Sequence, residues 1–467
     1  MCGIIGIENN DNAFILSLAG LVALQHRGEE SVGVTLSGKN GMETFRYMGL
    51  VSKIFNDECL LKKSQATAAI GHVRYTTSSK SSLANAQPFQ MSCIHGDISV
   101  AHNGNITNFY KIKKILLKKG AIFNHTSDTE ILLHLIAMSN GNLEDIIAHS
   151  ANKLDGAFSF VILKGKTLIG VRDMNGFRPL VLGKLGHSYI LSSETTAIEV
   201  MGGKYIRDIK PGEIIIIENG KIKKSFIYRH GCKKQNTCIF EQVYFSRPDS
   251  IMFKHTVKEA RIKMGEYLAL QMSCIKADIV MPVPDTGYYA AIGFSKVSNI
   301  FFENGLVRNY YVGRSFIKPI QNLRDLIAKF KLRPIKDVIN NKEIILIDDS
   351  MVRGTTSKIL VDILKSAGAK KIHFALSCPP IINSCYYGID TPNKNKLIAA
   401  NNSIKNIKKY LNINSLTFLT LENLIKACSF DYKKNIWNDN DFCTACFTGK
   451  YPTKIYNDIK KNNEREI

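Results

Sequence analysis

One run of residues limits the fold more than any other. Ile344-Ile345-Leu346-Ile347 is apolar at every position and is followed by Asp348-Asp349-Ser350 and then by Met351-Val352-Arg353-Gly354-Thr355-Thr356. A strand with one wet face alternates apolar and polar residues. An unbroken short apolar run ending in turn residues marks a strand covered on both faces, as in a parallel sheet. The pattern recurs. Asp278–Val283 ends at Pro284-Asp285-Thr286-Gly287 and leads into a helical pattern, and Lys371–Ser377 is a third such run. Repeated strand, turn and helix predict a parallel α/β sheet.

The first half reads differently. Ile4–Ile7, Ala157–Leu163, Thr167–Val171 and Glu213–Ile217 are short apolar runs separated by Gly, Asn and Asp. Helices are expected at Ala13–Leu24, Thr107–Lys119 and Asp128–Met138. Ser127-x-x-Glu130 has the form of a capping box. The change of character places a domain boundary near residue 232, dividing the chain into 1–232 and 233–467. A length of 467 residues fits two or three domains.

Cys2 becomes the first residue once Met1 is removed. An α-amino group has a reference pKa of about 7.7–8.0, so it can serve as the base for its own thiol. Three other motifs give that thiol a context. In Gly71-His72-Val73-Arg74-Tyr75, Arg74 offers a planar fork for a substrate carboxylate. In His102-Asn103-Gly104-Asn105, Asn103 offers an amide and Gly104 a backbone N–H, the parts of an oxyanion hole. Asp128, near a helix start, can pair with an ammonium group. In the second half, the Asp348-Asp349 pair suits ribose hydroxyls or a metal. The Gly354-Thr355-Thr356 turn opening a helix suits phosphate. It is not a Walker loop, because Gly-Lys-Ser/Thr is missing.

Together with Gln25-His26-Arg27-Gly28 and Ser127-Asp128-Thr129-Glu130, the N-terminal motifs resemble the glutaminase domain of N-terminal-nucleophile amidotransferases. The resemblance implies a four-layer αββα fold. It implies that Cys2 forms a glutamyl thioester, that Asn103 and Gly104 hold the oxyanion, and that Arg74 and Asp128 hold glutamine with Arg27 nearby. The segment from Ile344 to Thr356 resembles the signature of type I phosphoribosyltransferases. Ile239 to Ser250 and Tyr311 to Ile317 extend the resemblance to the amidophosphoribosyltransferase family. That implies glutamine, 5-phosphoribosyl 1-diphosphate and water as substrates, with phosphoribosylamine, glutamate and diphosphate as products, the first committed step of purine synthesis. Asp348 and Asp349 would then hold ribose and, with Thr286, Mg²⁺. Ser350 would also bind 5-phosphoribosyl 1-diphosphate, Arg353, Gly354, Thr355 and Thr356 would hold its 5′-phosphate, and Asp285 and Thr286 would belong to a diphosphate loop. Residues from about 313 to 336 resemble the family's flexible loop.

Cys443-x-x-Cys446 alone is compatible with redox chemistry, zinc or coincidence. Resemblance to the cluster-bearing branch of the family implies a [4Fe–4S] cluster on Cys238, Cys385, Cys443 and Cys446. The other cysteines are expected to be incidental core or surface residues. The formal net charge of +22 comes mostly from dispersed Lys, so it favours an anionic substrate over nucleic acid. No apolar run reaches the ~18 residues a membrane helix needs, and the N-terminus has no basic region before its apolar run. A cytoplasmic enzyme without membrane contact is expected. Family resemblance also implies a homodimer or homotetramer inhibited by purine nucleotides.

Overall fold

The side chains of the strand Gly3–Glu8 divide between two cores. Ile5 and Ile7 pack with the helix Ala13–Ala23 through Phe14, Leu18 and Leu21. Ile4 faces the other way, into a core built mostly from strand residues, including Ile70, Val161, Leu168 and Ile215. Gly6 faces that side too, and a Cβ there would come within 2.6 Å of Leu168 and Val161. The computed structural model describes residues 1–55, 66–75, 81–229, 235–252, 255–310, 332–429 and 441–456. The boundary expected near residue 232 lies outside them.

Gly3–Glu8 is the fourth strand of a seven-stranded antiparallel sheet, between Ser188–Ser192 and Ala66–Arg74. A second, six-stranded antiparallel sheet holds Gly96–Ile106 beside Gly156–Lys164. Its outer face is covered by Phe109–Lys118, Glu130–Ala137 and Leu143–Asn152. Helix, sheet, sheet and helices therefore stack in four layers, the αββα arrangement. The predicted capping box does not form. The Glu130 carboxylate accepts from the Asn124 and His125 backbones at 2.8 and 2.9 Å. The helix starts two residues later than expected, with no side-chain cap at Thr129. Bonds to the preceding turn took the carboxylate that a capping box requires.

The second half centres on a five-stranded sheet, entirely parallel, in the order Phe301–Phe302, Ile279–Pro282, Glu343–Asp348, Lys371–Leu376, Ser415–Phe418. The all-apolar run is its central strand. Ile345 and Ile347 face Val257–Gln271 and Tyr288–Ser298, through Met264 and Phe294. Ile344 and Leu346 face Thr355–Ser366, through Leu360 and Leu364. Strand order reverses between Ile279–Pro282 and Glu343–Asp348, and open α/β sheets bind ligands outside such a reversal.

Two helices on one face of this sheet approach to backbone contact. A Cβ on Gly265 would lie 1.8 Å from the Ala290 carbonyl oxygen, and one on Gly293 would lie 2.0 Å from that of Ile262. Gly265→Val is expected to force the pair apart and cost about 3 kcal/mol by overpacking, read as a lower denaturant midpoint. An unchanged midpoint would show that the crossing can relax.

Candidate active site

Cys2 lies at the entry to the first strand, its thiol half-buried and 3.8 Å from the Tyr75 carbonyl oxygen. The residues that hold it come from Gln25-His26-Arg27-Gly28. Arg27 is buried, and its Nε donates to the Cys2 carbonyl at 3.0 Å. Its Nη1 pairs with Glu194, and its Nη2 donates to both Glu241 oxygens at 3.0 Å. Gly28 is required because a Cβ there would lie 2.5 Å from the Arg74 backbone. Arg27, expected near glutamine, thus holds the Cys2 backbone.

Arg74 ends the strand beside Gly3–Glu8, while Asn103 and Gly104 lie on the facing sheet. His72 bridges the two sheets, its Nε2 3.1 Å from the His102 carbonyl. Burial, with Arg74 close by, pushes the His72 imidazole down to about 3, so it stays neutral and donates that bond. The Asn103 side-chain nitrogen is buried with no hydrogen-bond partner in the structure. A buried donor left open is costly unless a ligand completes it, so it marks a place for an acceptor. Asp128 accepts from the Ile106 N–H at 2.8 Å, and its other oxygen lies 3.7 Å from His102 Nδ1. Burial pushes its carboxyl up, but His102 and the backbone N–H groups outweigh that and keep it below the usual range.

Across the domain junction, Asp348 ends the central strand. Its Oδ1 accepts from the Asp349 N–H at 2.9 Å and from the Thr286 hydroxyl at 3.3 Å. Ser350 donates to Asp349. Burial and the adjacent Asp349 charge hold the Asp348 carboxyl well above the usual range. Gly354, with φ of 75°, turns the chain into the helix Thr355–Ser366. Asp285 is exposed and pairs with Arg308 and, at 3.2 Å, with the Tyr310 hydroxyl. Residues 311–331, most of the expected flexible loop, lie outside the described residues; Leu332–Pro334 pairs with Leu306–Arg308.

A cavity of about 470 Å³ lies between the Asp348–Ser357 segment and residues flanking Cys2. Asp348 to Ser357 form one wall, and Met1, His26, Arg27 and Tyr75 line it from the first half. Met1 is buried here. Burial lowers its α-amino group to about 5, with Cys2 opposing and Arg27 and Arg178 adding to the effect.

The four predicted cluster cysteines also converge. Cys238 and Cys443 are opposed in a two-stranded parallel pairing. The Cys446 carbonyl accepts from Ile382 and Asn383 at 3.0 Å, and Cys385 Sγ accepts from the Tyr387 N–H at 3.3 Å. None is in a disulfide. Burial raises the Cys446 thiol well above its ordinary value, and Cys238, Cys443 and Cys385 raise it further. Among the described residues, no three Cys, His, Asp or Glu side chains are already set in metal-holding geometry. The four come from three chain segments, with Cys238 and Cys443 buried and Cys385 and Cys446 half-buried.

Sequence reasoning missed the pairing partners. Glu194, Arg178 and Glu241 are fully buried, and Arg178 donates to Glu241 at 3.2 Å. An Arg between Phe177 and Pro179 is the only local hint of this role. Cys378, expected to be incidental, is buried close enough to Asp349 and Asp348 for their charges to raise its thiol further.

The fold and site define a class: an N-terminal-nucleophile glutaminase joined to a type I phosphoribosyltransferase sheet. Residues 72–200 match the family described as glutamine amidotransferase domain. Amidophosphoribosyltransferase 2, chloroplastic, of Arabidopsis thaliana is 43% identical over 98% of this chain and 81% of its own length. Amidophosphoribosyltransferase of Archaeoglobus fulgidus is 39% identical over 97% of this chain and 98% of its own. The solved glutamine phosphoribosylpyrophosphate amidotransferase of B. subtilis, complexed with ADP and GMP, superposes with a TM-score of 0.91 at 39% identity, covering 98% of each chain. The chain belongs to the amidophosphoribosyltransferase family.

Glu194 gives this geometry a pH signature. Burial raises its carboxyl, but His26 and Arg27 overcome that and hold it far below the unfolded value. The native state then binds fewer protons than the unfolded one. Stability is full above about pH 4.3 and is lost as pH falls toward the depressed folded value. Glu194→Gln is expected to lower stability by about 3 kcal/mol at pH 7, because Arg27 loses one counter-charge. Denaturant midpoints should converge with wild type below about pH 4. A gap independent of pH would exclude the ionic origin.

Proposed function

We propose that the chain makes phosphoribosylamine, glutamate and diphosphate from glutamine, water and 5-phosphoribosyl 1-diphosphate, as the first committed step of purine synthesis. The observation that carries this is the single cavity bounded by the Asp348–Thr356 loop on one side and the surroundings of Cys2 on the other. With Met1 removed, the Cys2 α-amine, whose reference pKa of about 7.7–8.0 leaves part of it unprotonated at neutral pH, takes the thiol proton. The thiolate attacks the glutamine amide carbon. Asn103 Nδ2 and the Gly104 N–H receive the oxyanion, while Arg74 and Asp128 hold the carboxylate and ammonium ends. Ammonia leaves, and water releases glutamate from the thioester.

Ammonia then attacks the anomeric carbon as diphosphate departs. Ser350, Arg353, Gly354, Thr355 and Thr356 hold the 5′-phosphate at the helix N-terminus, and Asp348 and Asp349 hold the ribose hydroxyls. Asp285 and Thr286 lie at the diphosphate end. Two adjacent carboxylates with the Thr286 hydroxyl 3.3 Å from Asp348 form an all-oxygen donor set whose mutual repulsion a divalent cation relieves, so the residues fit one. Thr286, Asp348 and Asp349 would hold Mg²⁺, which offsets charge on the leaving diphosphate. Cys238 and Cys443 are buried side by side, Cys385 and Cys446 are half-buried, and a backbone N–H lies on the Cys385 sulfur; this soft donor set fits a [4Fe–4S] cluster that would tie three chain segments together. Purine-nucleotide inhibition and a homodimeric or homotetrameric state belong to the same reading. Free thiols at the nine described cysteines suit a reducing, cytoplasmic setting. No helix among the described residues is long and apolar enough to cross a membrane.

Diphosphate release followed with glutamine, and separately with ammonium, tests the reaction. Cys2→Ala should abolish the first and retain the second; loss of both in a folded variant would overturn the division of labour. Anaerobically purified protein should carry about four irons per chain and absorb broadly in the visible. Zinc alone in the metal analysis would replace the cluster assignment.

A further inference from the structure

The oxyanion donors sit on an incompletely supported strand. Gly96–Ile106 pairs with Gly156–Lys164 along its far end, but its other neighbour, Phe89–Cys93, reaches only Val100. Asn103 to Ile106 therefore have a strand ladder on one side only. An oxyanion site has to be held to about 0.5 Å, so something else must fix this stretch.

A segment of the second half does so. The Asn105 side chain donates from Nδ2 to the Tyr386 carbonyl at 2.9 Å. Gly388, with φ of 99°, lies directly on Gly104. A Cβ at Gly388 would be 2.9 Å from the Gly104 carbonyl carbon and oxygen. The segment is itself braced. Arg178 donates to the Tyr387 carbonyl from Nε at 2.8 Å and Nη2 at 2.6 Å, and the Phe177 and Tyr387 rings stack with centroids 4.1 Å apart. The Tyr387 hydroxyl reaches Thr453 at 3.0 Å. One end of the segment is Cys385, in the thiol quartet. The other is Ile389 and Asp390, which line the cavity beside the phosphate loop.

We infer that Cys385–Asp390 is a strut that positions the oxyanion hole, with Asn105 the positioning residue through which it acts. The inference rests on the glutaminase reading of Cys2, Asn103 and Gly104. Asn105 touches no reacting atom. It fixes where the Gly104 peptide and the Asn103 amide stand when the tetrahedral intermediate forms. The strut also makes hole geometry depend on the second half, because its two ends are anchored at the quartet and at the phosphate-loop cavity.

The test is steady-state kinetics of the full-length Asn105→Ala variant, with glutamine and ammonium as alternative nitrogen donors. Asn105→Asp keeps the size but places a carboxylate against the Tyr386 carbonyl, and serves if the alanine variant folds poorly. Displacement of an oxyanion donor acts on the transition state, so kcat with glutamine should fall about tenfold or more, while KM for glutamine and the ammonium rate stay within about twofold. An unchanged glutamine kcat, a loss confined to KM, or an equal fall with both donors would overturn the strut. Wild-type turnover in the same assay reports on the glutaminase reading itself, so the two failures are distinguishable.

Discussion

The two halves are held to one geometry by charges that cannot reach water. Arg27 and Arg178 come from the glutaminase half and Glu241 from the transferase half, and all three are buried. Burying an ion costs several kcal/mol, and the cost is offset only with good geometry and full hydrogen bonding. Here both Glu241 oxygens accept from Arg27, one also accepts from Arg178, and the other accepts from the Ser246 hydroxyl at 3.0 Å. Moving either half would strand an arginine. The same Arg27 grips the Cys2 carbonyl. The registry of the two halves and the placement of Cys2 are therefore one constraint.

Much of this was legible beforehand, because the sequence patterns report local physics. Ile344 to Ile347 required apolar cover on both sides, and the sheet supplies it. The four strands and three helices that periodicity placed in the first half lie within two residues of those positions, while others, such as the helices Leu143–Asn152 and Thr195–Val200, were not anticipated. The Ser127–Glu130 capping box failed because the backbone N–H groups of Asn124 and His125, just upstream, claimed the Glu130 carboxylate.

Single motifs made the positions of Cys2, Asn103-Gly104 and the Asp348-Asp349 pair legible: they lie at the entry to the first strand, on the facing sheet and at the end of the central parallel strand. Partners distant in sequence were not legible. Nothing near Arg27 announces Glu194 or Glu241, which lie 167 and 214 residues away. Nothing near Asn105 announces Tyr386, 281 residues on. A side chain that orients a catalytic group from across a domain junction leaves no periodic trace in its own segment.

The pairing of Thr237–Cys238 with Phe442–Cys443 fixes an order of events during synthesis. The first strand of this pair leaves the ribosome about 200 residues before its mate, which at 5–20 residues per second is roughly 10–40 s. Throughout that interval the parallel sheet can assemble, but Cys238 has no partner strand and its thiol stays open to solvent and oxidants. The final closure of the second half is thus a late, long-range event, set by a segment near the end of the chain. A nascent chain would depend on its redox surroundings in a way that the finished fold, with that sulfur buried, would not.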